Sequence, residues 1–139
     1  MALTDRSPIR ERFALTMPEP AALDMDRIVW SYRRDSDTLL VDLYGRGRPA
    51  LSVPLDIGER DYLFVRVDVK TDEVVGLQIE DFLDYAVVRH PELVDALTFA
   101  ELDGIDEADV DSLRRGVGPS ARPIAAAVAV YDRLMRLAA

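Results

Sequence analysis

The chain has 139 residues, a formal net charge of −9 and no cysteine. That length suits one domain, which can bury about two-thirds of its unfolded surface without a disulfide or metal staple. The missing cysteine excludes thiolate nucleophiles and Cys-built metal sites, the single histidine, His90, excludes a multi-histidine site, and the acidic balance opposes broad affinity for nucleic acid or anionic lipid.

Residues 1–20 show no sustained period and end in Met17-Pro18-Glu19-Pro20, which predicts an arm outside the periodic body. No apolar run resembles a signal peptide, and none approaches the roughly 20 residues of a spanning helix. The expected location is the cytoplasm, away from membranes. Sixteen of the 17 basic residues are Arg, Asn is absent and Gln78 is the one Gln. A GC-rich genome accounts for that skew. A hot habitat also depletes amides, but the scarcity of Lys does not fit it.

From Arg27 the pattern alternates. Ile28, Trp30 and Tyr32 share one spacing of two, and Leu39, Val41 and Leu43 share another. Arg33-Arg34-Asp35-Ser36-Asp37 between them suits a tight turn, so the pair reads as a β-hairpin. Gly45-Arg46-Gly47-Arg48-Pro49 reads as the next turn, followed by a short strand from Ala50 to Leu55. Leu63, Val65, Val67 and Val69 alternate with Phe64, Arg66, Asp68 and Lys70. Val75, Leu77 and Ile79 alternate with Gly76, Gln78 and Glu80. Five short strands on short turns predict an antiparallel β-meander over residues 27–80 with one wet face.

Residues 81–139 supply helices to cover the other face. Asp81 is the expected N-cap of a helix carrying Phe82, Leu83, Ala86 and Val87, which Pro91 breaks or kinks. Leu93, Val94 and Leu97 continue the apolar pattern. Thr98-Phe99-Ala100-Glu101 has capping-box spacing, with Gly104 leaving room only for a short turn. Asp106 is a stronger start, with Ile105 and Val110 spaced as a hydrophobic staple, Val110, Leu113 and Val117 on one face, and Gly116 and Gly118 as the stop. Ser120 and Pro123 open the last helix, whose predicted stripe is Ile124, Val128, Tyr131 and Met135, with Ala127 and Leu134 beside it. The expected fold is therefore α+β, a single domain over 1–139 with a five-stranded antiparallel meander covered on one face by C-terminal helices. A separate helical dimerisation tail is the alternative.

The stretch Tyr32-Arg33-Arg34-Asp35-Ser36-Asp37-Thr38-Leu39-Leu40-Val41 resembles the opening of a small bacterial family, domain of unknown function 2283. Val75-Gly76-Leu77-Gln78-Ile79 is similar to that family's closing strand. Arg33 stands where Asp is common, Gln78 where Glu is common, and the central loop is longer and Arg-bearing. The resemblance covers roughly residues 28–81. It implies a small β-meander, no catalytic residue, and an accessory role beside toxin-like partners.

No catalytic constellation is complete. His90 has no Gly-x-Ser-x-Gly elbow to serve, and its place at a helix end suits a structural role near the last carbonyls. The pairs Asp24/Asp26, Asp35/Asp37 and Asp109/Asp111 lack EF-hand spacing. Gly45-Arg46-Gly47-Arg48 lacks the helix that a phosphate loop needs, though with Arg33 and Arg34 it makes a basic edge suited to an acidic partner. No cofactor is expected. Charge is uneven: residues 1–60 are nearly neutral, whereas Asp68 to Asp111 holds fourteen carboxylates against Lys70 and Arg89. The expected partner surface is Asp103, Asp106, Glu107, Asp109 and Asp111, facing a basic protein. The first functional expectation is a non-enzymatic interaction module, antitoxin-like by analogy. The alternative is a carboxylate-based enzyme or small-ligand binder with a pocket between sheet and helices. A homodimer serving structure alone is the third expectation.

Overall fold

The computed structural model describes residues 18–46, 48–55, 61–115 and 123–138. The predicted arm over 1–20 therefore lies almost wholly outside the described residues, as do Gly116, Val117, Gly118, Ser120 and the side chain of Ile124. Six strands form one mixed sheet: β1 (Val29–Arg33), β2 (Thr38–Asp42), β3 (Ala50–Pro54), β4 (Leu63–Asp68), β5 (Val74–Ile79) and β6 (Glu101–Asp103). The α+β class holds, with a sheet larger and differently wired than a five-stranded meander.

The sheet order is β3-β4-β5-β2-β1-β6. β1 and β2 form the expected antiparallel hairpin, with Trp30 opposite Val41 and Tyr32 opposite Leu39. β3, β4 and β5 run back and forth as neighbours. β2 does not pair with β3. It pairs antiparallel with β5, placing Val41 opposite Leu77 and Asp42 opposite Gly76. This is a Greek-key arrangement. The segment 43–49 is thus a connection across the sheet end, not a hairpin turn. Alternation on each strand specifies which face is buried but leaves pairing order open.

The sixth strand departs from the sequence expectation. Glu101–Asp103 pairs parallel with β1 where the capping-box spacing of Thr98 to Glu101 predicts a short turn. Phe99 anchors it, packing edge-on against Trp30 at 4.9 Å between ring centroids. Gly104 then turns the chain away at φ +91, and a Cβ there would lie 2.8 Å from Cβ of Arg34.

One sheet face carries Trp30, Tyr32, Leu39, Val41, Leu63, Val65, Leu77 and Ile79, all buried. A β-bulge between Arg66/Val67 of β4 and their partners on β5 leaves Val75 as an extra residue, so Val74 and Val75 are both buried. β4 stops at Asp68, and Val69 is exposed rather than part of the inward row.

Helices cover this face. A π-helical turn, Phe82–Ala86, runs into α1 (Val87–Arg89), and a 3₁₀ helix, Pro91–Thr98, starts at the expected proline break. Ring contacts tie them to the sheet, with Phe82 against Tyr32 at 5.7 Å and Tyr85 against Tyr62 at 4.9 Å. Asp106 caps α2 (Glu107–Leu113) as expected, in a reciprocal box with Asp109. Val110 is buried, but Leu113 is exposed. The last helix, α3 (Pro123–Ala138), buries Ala127, Val130, Tyr131 and Leu134 in the same core. Its inward stripe is rotated from the predicted one: Val128 faces out and Met135 is half-buried. Tyr131 donates to the Pro18 carbonyl at 2.9 Å, so the chain entering the body is tied to the last helix.

Candidate functional site

Catalysis by carboxylates draws on acids removed from bulk water. Asp37 and Asp68 are the two buried acids among the described residues. Asp37 closes the β1–β2 turn at φ +50. Its carboxylate accepts from Tyr32 Oη at 2.5 Å, from the Leu83 amide at 2.9 Å and from the Asp84 amide at 3.1 Å. It caps the π-helical turn from 46 residues away. Asp81, the predicted cap, sits at that helix start with left-handed backbone and makes no side-chain cap hydrogen bond. Burial, reinforced by the bond to Asp37, pushes the Tyr32 phenol up, so it stays a protonated donor.

Asp68 holds the β4–β5 turn. One oxygen accepts from the Lys70 and Thr71 amides at 2.8 and 3.1 Å, and the other from Arg48 at 3.1 and 2.8 Å. These bonds, the Lys70 amide foremost, hold its carboxyl down at about 2. A depressed value gives stability that is present above the unfolded value of 3.8 and lost as pH falls through about 2. Arg48→Gln removes one of the stabilising partners, so its acid unfolding midpoint moves to higher pH. A far-UV circular dichroism titration of both proteins checks this; coincident acid limbs contradict it.

Both buried acids are therefore engaged by structural donors. His90 is also structural, though not in the way its helix-end position suggested. Arg133 donates to its Nδ1 at 2.7 Å, which requires the neutral ring with its proton on Nε2. Burial first, then Arg133, push its pKa down. Among the described residues no three His, Asp or Glu side chains gather to hold a metal ion. No helix there is long and apolar enough to cross a membrane.

The predicted acidic surface divides. Asp106 and Asp109 spend their carboxylates on the α2 cap, each accepting a backbone amide of the other at 2.9–3.0 Å. Asp103 lies on β6, 3.7 Å from Arg33. Across the wider acidic stretch, Asp68, Glu92, Asp95, Glu101 and Asp103 pair with Arg48, Arg133, Arg114, Arg46 and Arg33, all of which lie outside it in sequence. Five of the fourteen carboxylates in the stretch are thus answered by tertiary partners. Glu107 and Asp111 have no cationic partner among the described residues. They rim a recess of about 190 Å³ with an apolar floor of Leu97, Ala100, Leu102 and Val110.

The larger concavity, about 540 Å³, lies on the open face of the sheet rather than between sheet and helices. Arg46 and Arg48 reach it from the 43–49 connection, Arg66 from β4, and Asp42 and Leu40 from β2. Glu101 and Asp103 form its far wall. Sequence alternation marked Arg66 and Asp42 only as outward-facing. Their convergence follows from the β2–β5 pairing, which sets Arg66, Gly76 and Asp42 in one row. Burial pushes the Asp42 carboxyl up, while Arg66 and Arg46 pull it down.

Among the described residues the α+β fold carries an acid-rimmed recess and a guanidinium-rich one, and its buried acids Asp37 and Asp68 hold turns and a helix start. A scan against protein-family models, a search of curated proteins and a search of solved structures return no match.

Proposed function

We propose that the protein is a non-enzymatic interaction module that docks a basic protein partner at the recess rimmed by Glu107 and Asp111. The observation carrying this reading is the pairing of two carboxylates, without cationic partners among the described residues, with an apolar floor. An Arg or Lys side chain lays its aliphatic stem on such a floor and presents its charge to the rim. Both acids lie on α2, whose cap is closed by Asp106 and Asp109. A rigid helix therefore presents them, at little ordering cost.

An antitoxin-like role is the form of this reading that the resemblance over residues 28–81 favours. The partner is then a basic toxin-like protein. The alternative, a carboxylate enzyme, has less support. The larger concavity holds one half-buried acid, Asp42, while Glu101 and Asp103 are exposed.

The test is affinity capture with the wild-type chain and with the double variant Glu107→Lys/Asp111→Lys, at low and high salt. The wild type should retain a basic protein at low salt and release it at high salt. The double variant should lose it at both. Both substitutions are on exposed positions, so its melting temperature should stay close to that of the wild type. Retention of the same protein by the variant overturns the reading.

A further inference from the structure

We propose that the open-face concavity is a binding site for a small anionic molecule bearing a phosphoryl or carboxylate group, with Arg66 and Arg46 as its principal contacts. This site is distinct from the acid-rimmed recess and carries the opposite charge preference.

The argument starts with Arg66. It projects from the centre of β4 onto the open face and is half-buried. Its hydrogen bonds go to neutral acceptors, Ser52 Oγ at 3.3 Å and Gln78 Oε1 at 3.2 Å, while the Asp42 carboxylate interacts with it electrostatically. The two bonds aim the group without forming an ion pair. Ser52 donates to the same Gln78 oxygen at 2.9 Å, and Gln78 donates to Glu80 at 2.9 Å, so the support is itself braced. A guanidinium so braced is pre-organised for a planar, bidentate acceptor.

Arg46 is the second contact. Its partner, Glu101, is mostly exposed, as is Arg46 itself. Ion pairs between exposed side chains contribute little. A ligand anion can replace Glu101 at small cost. Arg48 differs, because Asp68 holds its Nε and one terminal nitrogen. It anchors the 43–49 connection and thereby positions Arg46. Asp42 completes the site beside the two arginines. A ligand that carries hydroxyl groups as well as its anionic group can donate to it.

Size and charge select the class of occupant. A volume of about 540 Å³ lies within the range of small-molecule sites. Asp42, Glu101 and Asp103 interrupt the cationic surface, and they repel an extended polyanion such as a nucleic acid strand. A compact anion needs only to displace Glu101 from Arg46.

The test is a titration of isotopically labelled protein at low ionic strength with inorganic phosphate and, separately, with citrate. The Nε–Hε signals of Arg46 and Arg66 are followed. Saturable shifts at both, matched by the Leu40 amide, are expected with at least one probe. Response to phosphate alone identifies a phosphoryl ligand, response to citrate alone a polycarboxylate, and response to both the shared anion chemistry. Arg66→Gln should weaken binding about tenfold, the loss of one charge-assisted contact. Arg46→Gln, on the exposed connection, should do the same with no change in melting temperature. Arg136→Gln, on an exposed position of α3, should bind as the wild type does. Non-saturating shifts of equal size at Arg46, Arg66 and Arg136 would mean screening alone and overturn the proposal. Unchanged affinity in both Arg46→Gln and Arg66→Gln would do so as well.

Discussion

Asp37→Ala should destabilise the protein by about 3–5 kcal/mol, the range expected when a buried charge-bearing hydrogen-bond centre is removed. The substitution strands three donors at once: the Tyr32 hydroxyl and the Leu83 and Asp84 amides. Tyr32 is fully buried, so its hydroxyl has no water to turn to. Alanine is also poorly suited to the left-handed backbone at φ +50. Asp37→Asn separates the two effects. Asparagine tolerates that conformation and keeps one acceptor oxygen, so its cost should be about 1–2 kcal/mol. Tyr32→Phe removes one of the three donors and should cost about 1 kcal/mol. Urea unfolding of the two singles and of Tyr32→Phe/Asp37→Ala measures their coupling. If Tyr32 and Asp37 act as one unit, the double variant is clearly less destabilised than the sum of the singles. Additive losses would mean that Asp37 acts through the helix amides alone.

This cluster joins the β1–β2 hairpin to the first helical turn. Tyr32, Asp37, Leu39 and Val41 dock the hairpin onto the core. Leu39 and Val41 fill the covered face, while Tyr32 and Asp37 join the hairpin to the first helical turn.

The difference between what was legible in the sequence and what was not follows one physical line. Local signals were legible. Strict alternation in Trp30–Tyr32 and Leu39–Val41 marked the hairpin, and Asp106 with Ile105 and Val110 marked α2. Each depends on residues a few positions apart. Long-range pairing was not legible, because β2 could meet β3 or β5 with the same buried row. The same limit applied to the sites. Asp37 read as a turn residue, which it is, but its helix lies 46 positions away. Arg66 and Asp42 sat on polar strand positions that alternation assigns to solvent. Only the strand order places them beside Arg46. The last helix shows a third limit: its Ala-rich sequence from Ala125 to Ala129 leaves the apolar stripe weakly defined, and the buried stripe runs through Ala127, Val130 and Leu134.

The second large effect tests the strand order itself. Gly76→Ala should destabilise the protein by about 2–3 kcal/mol, the upper part of the range for overpacking. A Cβ at Gly76 would sit 2.6 Å from the Val41 carbonyl oxygen and 3.5 Å from Cβ of Arg66. The oxygen belongs to backbone of β2, so no rotamer change relieves the contact. Either β2 and β5 separate or the bulge at Val75 shifts, and both lose ladder hydrogen bonds in the middle of the sheet. In a simple meander, β5 would be a terminal strand beside β4 alone. Alanine would then replace a residue that weakens strands, and stability would stay level or rise slightly. The two topologies thus predict opposite signs for one methyl group. Leu77→Ala provides the scale, since loss of a fully buried leucine next to Gly76 should cost about 2–5 kcal/mol in either topology. Urea midpoints of the three proteins decide between them. A Gly76→Ala protein as stable as the wild type would reject the β2–β5 pairing. The row that sets Arg66 and Asp42 on either side of Gly76 would go with it, and so would the geometric basis of the anion site.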